Sequence, residues 1–282
     1  MSLNDLCARC PNVELILAKL GVSVGMVLGL SFLAERAGPR AAGILSGYPL
    51  GTAILLYFIA VEQGIAFASE SAVYAMPGLI ATLAFLYGYF HASRRLVSLP
   101  VILQILLSSL AAFVVYFIVS WLFQLTSMSL TQAAIILLFA IFAALVLFRK
   151  IENVKILNRV RITKRVIVFR AGLASLIVLV ISGLAALIGP RWSGLLSGFP
   201  VALYPTMIIL HFSYGAAPVH TLVRNFPRGM GALWIYTLAV SLSYPVLGLN
   251  FGTLVSFAVA TVYLVAYSTF VWMRQKSVRT VE

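Results

Sequence analysis

The sequence predicts an all-helical polytopic membrane protein. About nine transmembrane helices fall into two four-helix repeats of inverted topology (4+1+4), each with a broken second helix. Three observations carry this: a composition too apolar for a water-soluble domain, a one-sided distribution of Lys and Arg, and a proline-bearing phrase written twice. Of 282 residues, 62% are hydrophobic and 10% charged, against about 25% charged in soluble domains. Mean hydropathy is +1.06. One span needs roughly 20 apolar residues, so the length accommodates nine or ten. An outer-membrane barrel would alternate in segments of about ten residues, whereas the apolar runs here are long and unalternating.

The spans follow from those runs, at 13–34, 41–62, 73–92, 99–123, 129–148, 166–188, 192–213, 229–248 and 250–273. The opening "MSLNDLCARC" lacks the basic, apolar and small-residue order of a removable signal peptide, so Val13 begins a permanent span. Cys7 and Cys10 form a C-x-x-C pair without the further Cys/His cluster or strand–helix context of a metal or redox site. They read as two incidental thiols, and no metal or cofactor is expected. Linkers are short except for the basic segment 149–165.

Counting Lys and Arg in alternate loops orients the spans. One side holds Arg36, Arg40, Arg94, Arg95, the seven basic residues of 149–165, Arg224, Arg228, Arg274, Lys276 and Arg279; the other holds Arg9 and Arg191. The positive-inside rule then places the N-terminus outside and the C-terminus in the cytoplasm, in a bacterial-type inner membrane. The same distribution accounts for the net charge of +13: these residues flank helices and no aromatic stacking platform accompanies them, so nucleic acid is not an expected partner. The bilayer is, and a homo-oligomer stays open.

The duplicated phrase is "GPRAAGILSGYP" at 38–49 and "GPRWSGLLSGFP" at 189–200, with eight of twelve positions identical at an offset of 151. The offset extends without a gap to Lys19/Arg170, Gly21/Gly172, Ser31/Ser182, Gly64/Gly215 and Gly78/Gly229. Repeat one therefore covers 13–125 and repeat two 166–274, with 129–148 as the linking helix. Five spans separate the two starts, so the copies enter the membrane from opposite faces, as in the inverted repeats of secondary transporters. Arg40 falls on the cytoplasmic side and Arg191 outside, as inversion requires.

Within each phrase, Ser46-Gly47-Tyr48-Pro49 and Ser197-Gly198-Phe199-Pro200 interrupt an apolar run. Proline removes a backbone donor and pushes the preceding residue out of helical geometry. A short helix, a break and a second helix starting near the proline follow, with Ser46 and Ser197 placed to accept from exposed amides. Unpaired backbone in a bilayer is tolerated only inside protein or beside a watery cavity. Helix N-termini converging there favour a negative ligand. The blander reading, close packing through small residues with a proline kink, explains one such site more easily than two at matched positions.

Lys19 and Arg170, about 9 Å inside their spans, can supply charge to that cavity or snorkel to the headgroups. Arg40 and Arg191 can clamp an anion or anchor the interface. Glu62 and His211 are proton-coupling candidates, interfacial placement being the alternative. Tyr48, Tyr57 and Tyr204 can offer hydroxyls or belong to aromatic belts. Glu35, Glu70, His91 and His220 read as loop or interface groups. No H-E-x-x-H, G-x-S-x-G or P-loop occurs, and the single aspartate and six glutamates form no intramembrane pair; no enzyme is expected.

Residues 18–92 and 169–243 each resemble the GlpM-like family of small four-helix membrane proteins. The first copy carries "AKLG", "AGILSGYP" and "GTAILLYFIAVEQGIAFASESAVYAMPG"; the second carries "FRAG", "SGLLSGFP" and "LHFSYG". The resemblance implies a fused tandem of that unit with the fifth helix added, and supplies a fold rather than an activity. Glu62 departs from the second copy, which offers His211 earlier in register. The expected function is secondary transport of a small phosphate- or carboxylate-bearing anion, or of a lipid-linked substrate, by alternating access around a midplane cavity. The alternative is a non-transporting scaffold of a cell-envelope or polysaccharide assembly.

Overall fold

In a computed structural model, residues 13–26, 29, 47–154 and 164–279 are described, the side chains of 165, 268 and 270–279 excepted. Every regular element among them is a helix. Residues 13–26 form α1. Leu50–Gln63 (α2), Ile65–Arg95 (α3), Val101–Gln124 (α4) and Leu130–Phe148 (α5) follow, then Lys164–Ser197 (α6), Leu203–Tyr214 (α7) and Ala216–Arg279 (α8). α6 and α8 are each two rods joined at a glycine outside helical geometry, Gly189 (φ 76°) and Gly248 (φ 74°). We write them α6a (164–188), α6b (190–197), α8a (216–247) and α8b (249–279). Among the described residues, five helices are long and apolar enough to cross a membrane.

Local chemistry explains the boundaries. Ser129 opens α5 with a reciprocal cap, its Oγ accepting from Gln132 N while Gln132 Oε1 accepts from Ser129 N. Gly64 and Gly215 adopt φ of 93° and 77°, a left-handed region open to glycine at little cost. They let α2 turn into α3, and α7 into α8, within one residue. For the same reason α3 starts at Ile65 rather than 73, and α8 at Ala216 rather than 229. Hydropathy rises only after the polar first turns, but the helices resume directly after the glycines. Ser69 Oγ, in that early part of α3, donates to Ser241 O on α8a.

α3 is the central element, packed against α4, α6 and α8. Pro77 bends no further break into it. Glycines admit its neighbours. A Cβ on Gly194 would collide with Ser71 O, and one on Gly78 would lie 2.9 Å from Leu195 Cα. α4 and α5 turn much of their apolar surface outward: Leu106 of α4 is 60% exposed and Phe139 of α5 71%. So much apolar surface facing outward suits lipid rather than water. Trp234 Nε1 of α8a donates to Ala134 O of α5.

Candidate functional site at the two helix breaks

The second phrase interrupts a helix, and the described end of the first is a turn that leads into one. Residues 198–202 separate α6b from α7, and 47–49 precede α2; Ser46 and Arg40 lie outside the described residues. Three backbone bonds recur at an offset of 151. Leu50 N donates to Tyr48 O, and Val201 N to Phe199 O, both at 2.8 Å. Ala53 N donates to Pro49 O at 2.8 Å and Tyr204 N to Pro200 O at 2.9 Å. Gly64 N donates to Ala60 O at 3.0 Å and Gly215 N to His211 O at 2.9 Å. The sequence match is thus also a match of local structure.

The breaks touch the opposite halves reciprocally. A Cβ on Gly198 would lie 2.6 Å from Leu79 N and also collide with Gly78; one on Gly47 would lie 2.6 Å from Gly229 Cα. Residues 47 and 198 correspond, as do 78 and 229, so the two contacts are one contact made twice. At 47 and 198 glycine is required by close backbone approach; Gly51 instead faces a side chain, its Cβ position 3.2 Å from Val201 Cβ.

Carbonyls freed by the second break are taken up by side chains. Tyr116 OH donates to Leu195 O at 2.8 Å and Thr82 Oγ1 to Gly198 O at 2.7 Å. Leu195 O also accepts from Gly198 N at 3.2 Å, whereas Thr82 supplies Gly198 O with a partner whose lack would be costly in a bilayer. Ser197 does not cap α7 as expected. It is fully buried, and its Oγ donates back to Ser193 O at 2.7 Å, the common i−4 alternative for a helical serine.

The space between the breaks is a cavity of about 20 Å³, lined by Tyr48, Gly51, Thr52, Leu79, residues 198–203, Phe226 and Leu233. That holds roughly one water, far less than an open substrate site. Among the described residues its lining carries no basic side chain. Phe199 closes one side within a ring cluster, with centroids 5.6 Å from Phe85, 5.6 Å from Phe113, 5.4 Å from Tyr116 and 5.9 Å from Tyr204. Tyr48, its counterpart, instead shares a 2.7 Å hydrogen bond with Thr261 and lies 6.1 Å from the Phe257 ring. Tyr57 OH donates to Asn250 Oδ1.

The basic candidates lie elsewhere. Lys19 is 3% exposed, so it does not snorkel; its Nζ is 2.6 Å from Glu62 Oε1 and 2.7 Å from Ser182 Oγ. Two residues selected for different roles are one ion pair. Arg170 is buried on α6a, and Arg191 lies over the Tyr74 ring at 5.5 Å.

His211 is fully buried between Tyr89 OH (2.7 Å from Nδ1) and Gln104 Oε1 (2.7 Å from Nε2). Gln104 Nε2 donates to Ser93 O, which fixes the amide orientation. Nε2 of His211 is therefore the protonated nitrogen, and Tyr89 OH donates to Nδ1. Ser93 Oγ also lies 2.8 Å from His220 Nε2. His220, read from sequence as a loop or interface group, belongs to this buried network. Sequence reasoning missed Tyr89, Ser93 and Gln104; the signal present was the lone amide in the run "VILQILLSSL".

Compared with protein families, curated proteins and solved structures, the chain matches none.

Proposed function

We propose that the chain is a secondary transporter, built as a tandem of two inverted four-helix repeats around α5 and captured closed. The observation that carries this reading is the reciprocal packing of the breaks, Gly47 on Gly229 and Gly198 on Gly78. Two matched halves pivoting on such a seam can open it to either face in turn. The reading counts nine crossings, with α6a, α6b plus α7, α8a and α8b as the sixth to ninth.

Side-chain contacts support that path. Threading the chain in this order puts Lys19, Glu62 and Ser182 toward one face and Tyr89, Gln104, His211 and His220 toward the other. Each set is hydrogen-bonded within itself, as residues at one depth should be. The Lys and Arg asymmetry puts the first set outside and the second on the cytoplasmic side of an inner membrane. The substrate class is a small phosphate- or carboxylate-bearing anion, favoured by the starts of α2 and α7 at the cavity. A lipid-linked anion is the variant that would need a lateral opening.

The small cavity and fully buried Ser197 favour a second reading, a sealed scaffold of an envelope assembly. Cysteine at position 197 or 46, on a Cys7/Cys10-free background, separates the two. Labelling by a membrane-impermeant maleimide from either face in turn supports transport; refusal from both faces supports the scaffold.

A further inference from the structure

We propose that Lys19 is an anion-binding site whose occupant in this structure is the protein's own Glu62, and that a proton on Glu62 exchanges it for an external carboxylate or phosphate oxygen. This rests on the transporter reading for its role in coupling; the site itself does not. Glu62 lies twelve residues beyond the start of α2, some 18 Å along the helix from the break, so this is a second site and not part of the central cavity.

Four observations carry it. First, the Lys19 side chain is 4% exposed while that of Glu62 is 20% exposed. The Glu62 side chain, the more open of the two although its Oε2 is buried, therefore sits as a lid over a sealed ammonium. Second, only one Glu62 oxygen is used: Oε1 takes Lys19, whereas Oε2 is buried without a hydrogen-bond partner. A buried acceptor left unmatched is costly, so the pair holds Glu62 by one oxygen alone. Third, Lys19 Nζ is held from its other side by Ser182 Oγ at 2.7 Å, and Ser182 Oγ donates to Val178 O at 2.8 Å. The ammonium therefore stays in place when Glu62 lets go. Fourth, the Phe58 ring lies 5.7 Å from Nζ, a face that stabilises a cation but cannot replace an anion.

The exchange balances in charge. With Glu62 ionised the pair is neutral; with a proton on Oε2 and a monoanion on Lys19 the site is neutral again. One proton and one negative charge enter together, which is symport stoichiometry. Around Glu62, α1 contributes the Lys19 ammonium, and α6a contributes the Ser182 hydroxyl through it. Lys19 is the one ion-pair partner of Glu62 among the described residues.

Glu62→Gln copies the protonated lid without altering its shape, so it should free Lys19 at neutral pH. The experiment compares full-length parent, Glu62→Gln and Lys19→Met/Glu62→Gln in detergent. Melting temperature is followed against inorganic phosphate and acetate, with chloride at equal ionic strength as reference. The expected result is a saturable rise of several degrees with phosphate or acetate in Glu62→Gln. That rise should be at least twofold larger than in the parent and absent from the double variant, because a ligand that binds only the folded state raises its melting point. The double variant replaces the pair by neutral side chains of similar size, a change such sites commonly tolerate, and so controls for folding. Equal responses in all three proteins, or none beyond chloride in Glu62→Gln, would overturn the site. This readout involves no transport. Absent anion binding with alternating labelling at position 197 removes this site alone; anion binding without labelling removes the transporter reading alone.

Discussion

Gly198→Ala is the most direct probe of the seam between the halves. The added carbon would meet backbone, the Leu79 amide nitrogen at 2.6 Å and the Gly78 Cα at 2.8 Å. Neither can rotate away as a side chain would, so a helix or the break itself must shift. Overpacking of this kind costs about 1–3 kcal/mol; with backbone on both sides the upper half of that range, about 2–3 kcal/mol, applies. At about 2–4 °C per kcal/mol for a chain of 150–250 residues, the melting temperature should fall by roughly 4–12 °C. Gly172→Ala is the matched control, because nothing lies within 4 Å of its Cβ position and alanine is the better helix former by about 1 kcal/mol; its melting temperature should hold or rise. Thiol-reactive dye unfolding on purified protein, using the native Cys7 and Cys10 with cysteines added at buried sites, reads both. A Gly198→Ala protein that melts with the parent would refute the backbone-on-backbone seam.

Other outcomes follow from single contacts. Tyr116→Phe removes one of the two donors to the Leu195 carbonyl, Gly198 N being the other, and should lower stability by about 0.5–1.5 kcal/mol, read by thermal melts against the parent. Gly215→Ala places a Cβ at φ 77° in open space, so its cost, about 1–2 kcal/mol, should be purely conformational, and Gly215→Asn should recover part of it. His211→Phe removes partners from both Tyr89 and Gln104 and should destabilise more than Tyr89→Phe, which removes one donor; equal melting shifts would argue against the assigned tautomer.

Much of this architecture could be read from the chain, because proline and glycine act through local geometry. Ser197-Gly198-Phe199-Pro200 announces a break, and the α7 start at Leu203 follows from it. The recurrence of Gly64 as Gly215 likewise foretold a paired feature, though not its left-handed turn. What stayed hidden depended on which helices meet. Lys19 and Glu62 are 43 residues apart in sequence, and no local pattern says that an early lysine and a late glutamate share a depth. The ring of aromatics around Phe199 draws on α3, α4 and α7, each contributing residues that are ordinary in an apolar run. Ser197 misled for another reason: a serine before a break can cap forward or bond backward, and the α6b turn was already in place to receive it.

The unequal furnishing of the two breaks has a mechanical meaning. Pulling Phe199 from its place would separate four ring pairs, each worth about 0.5–1.5 kcal/mol beyond area burial. Among the described residues, pulling Tyr48 would give up one hydroxyl contact and one ring neighbour. A seam whose two ends carry such different loads yields in a set order, the tyrosine end first. On the transporter reading, near-duplicate halves would thereby acquire a built-in bias, a resting side and a working side, written in the difference between one phenol and one phenyl.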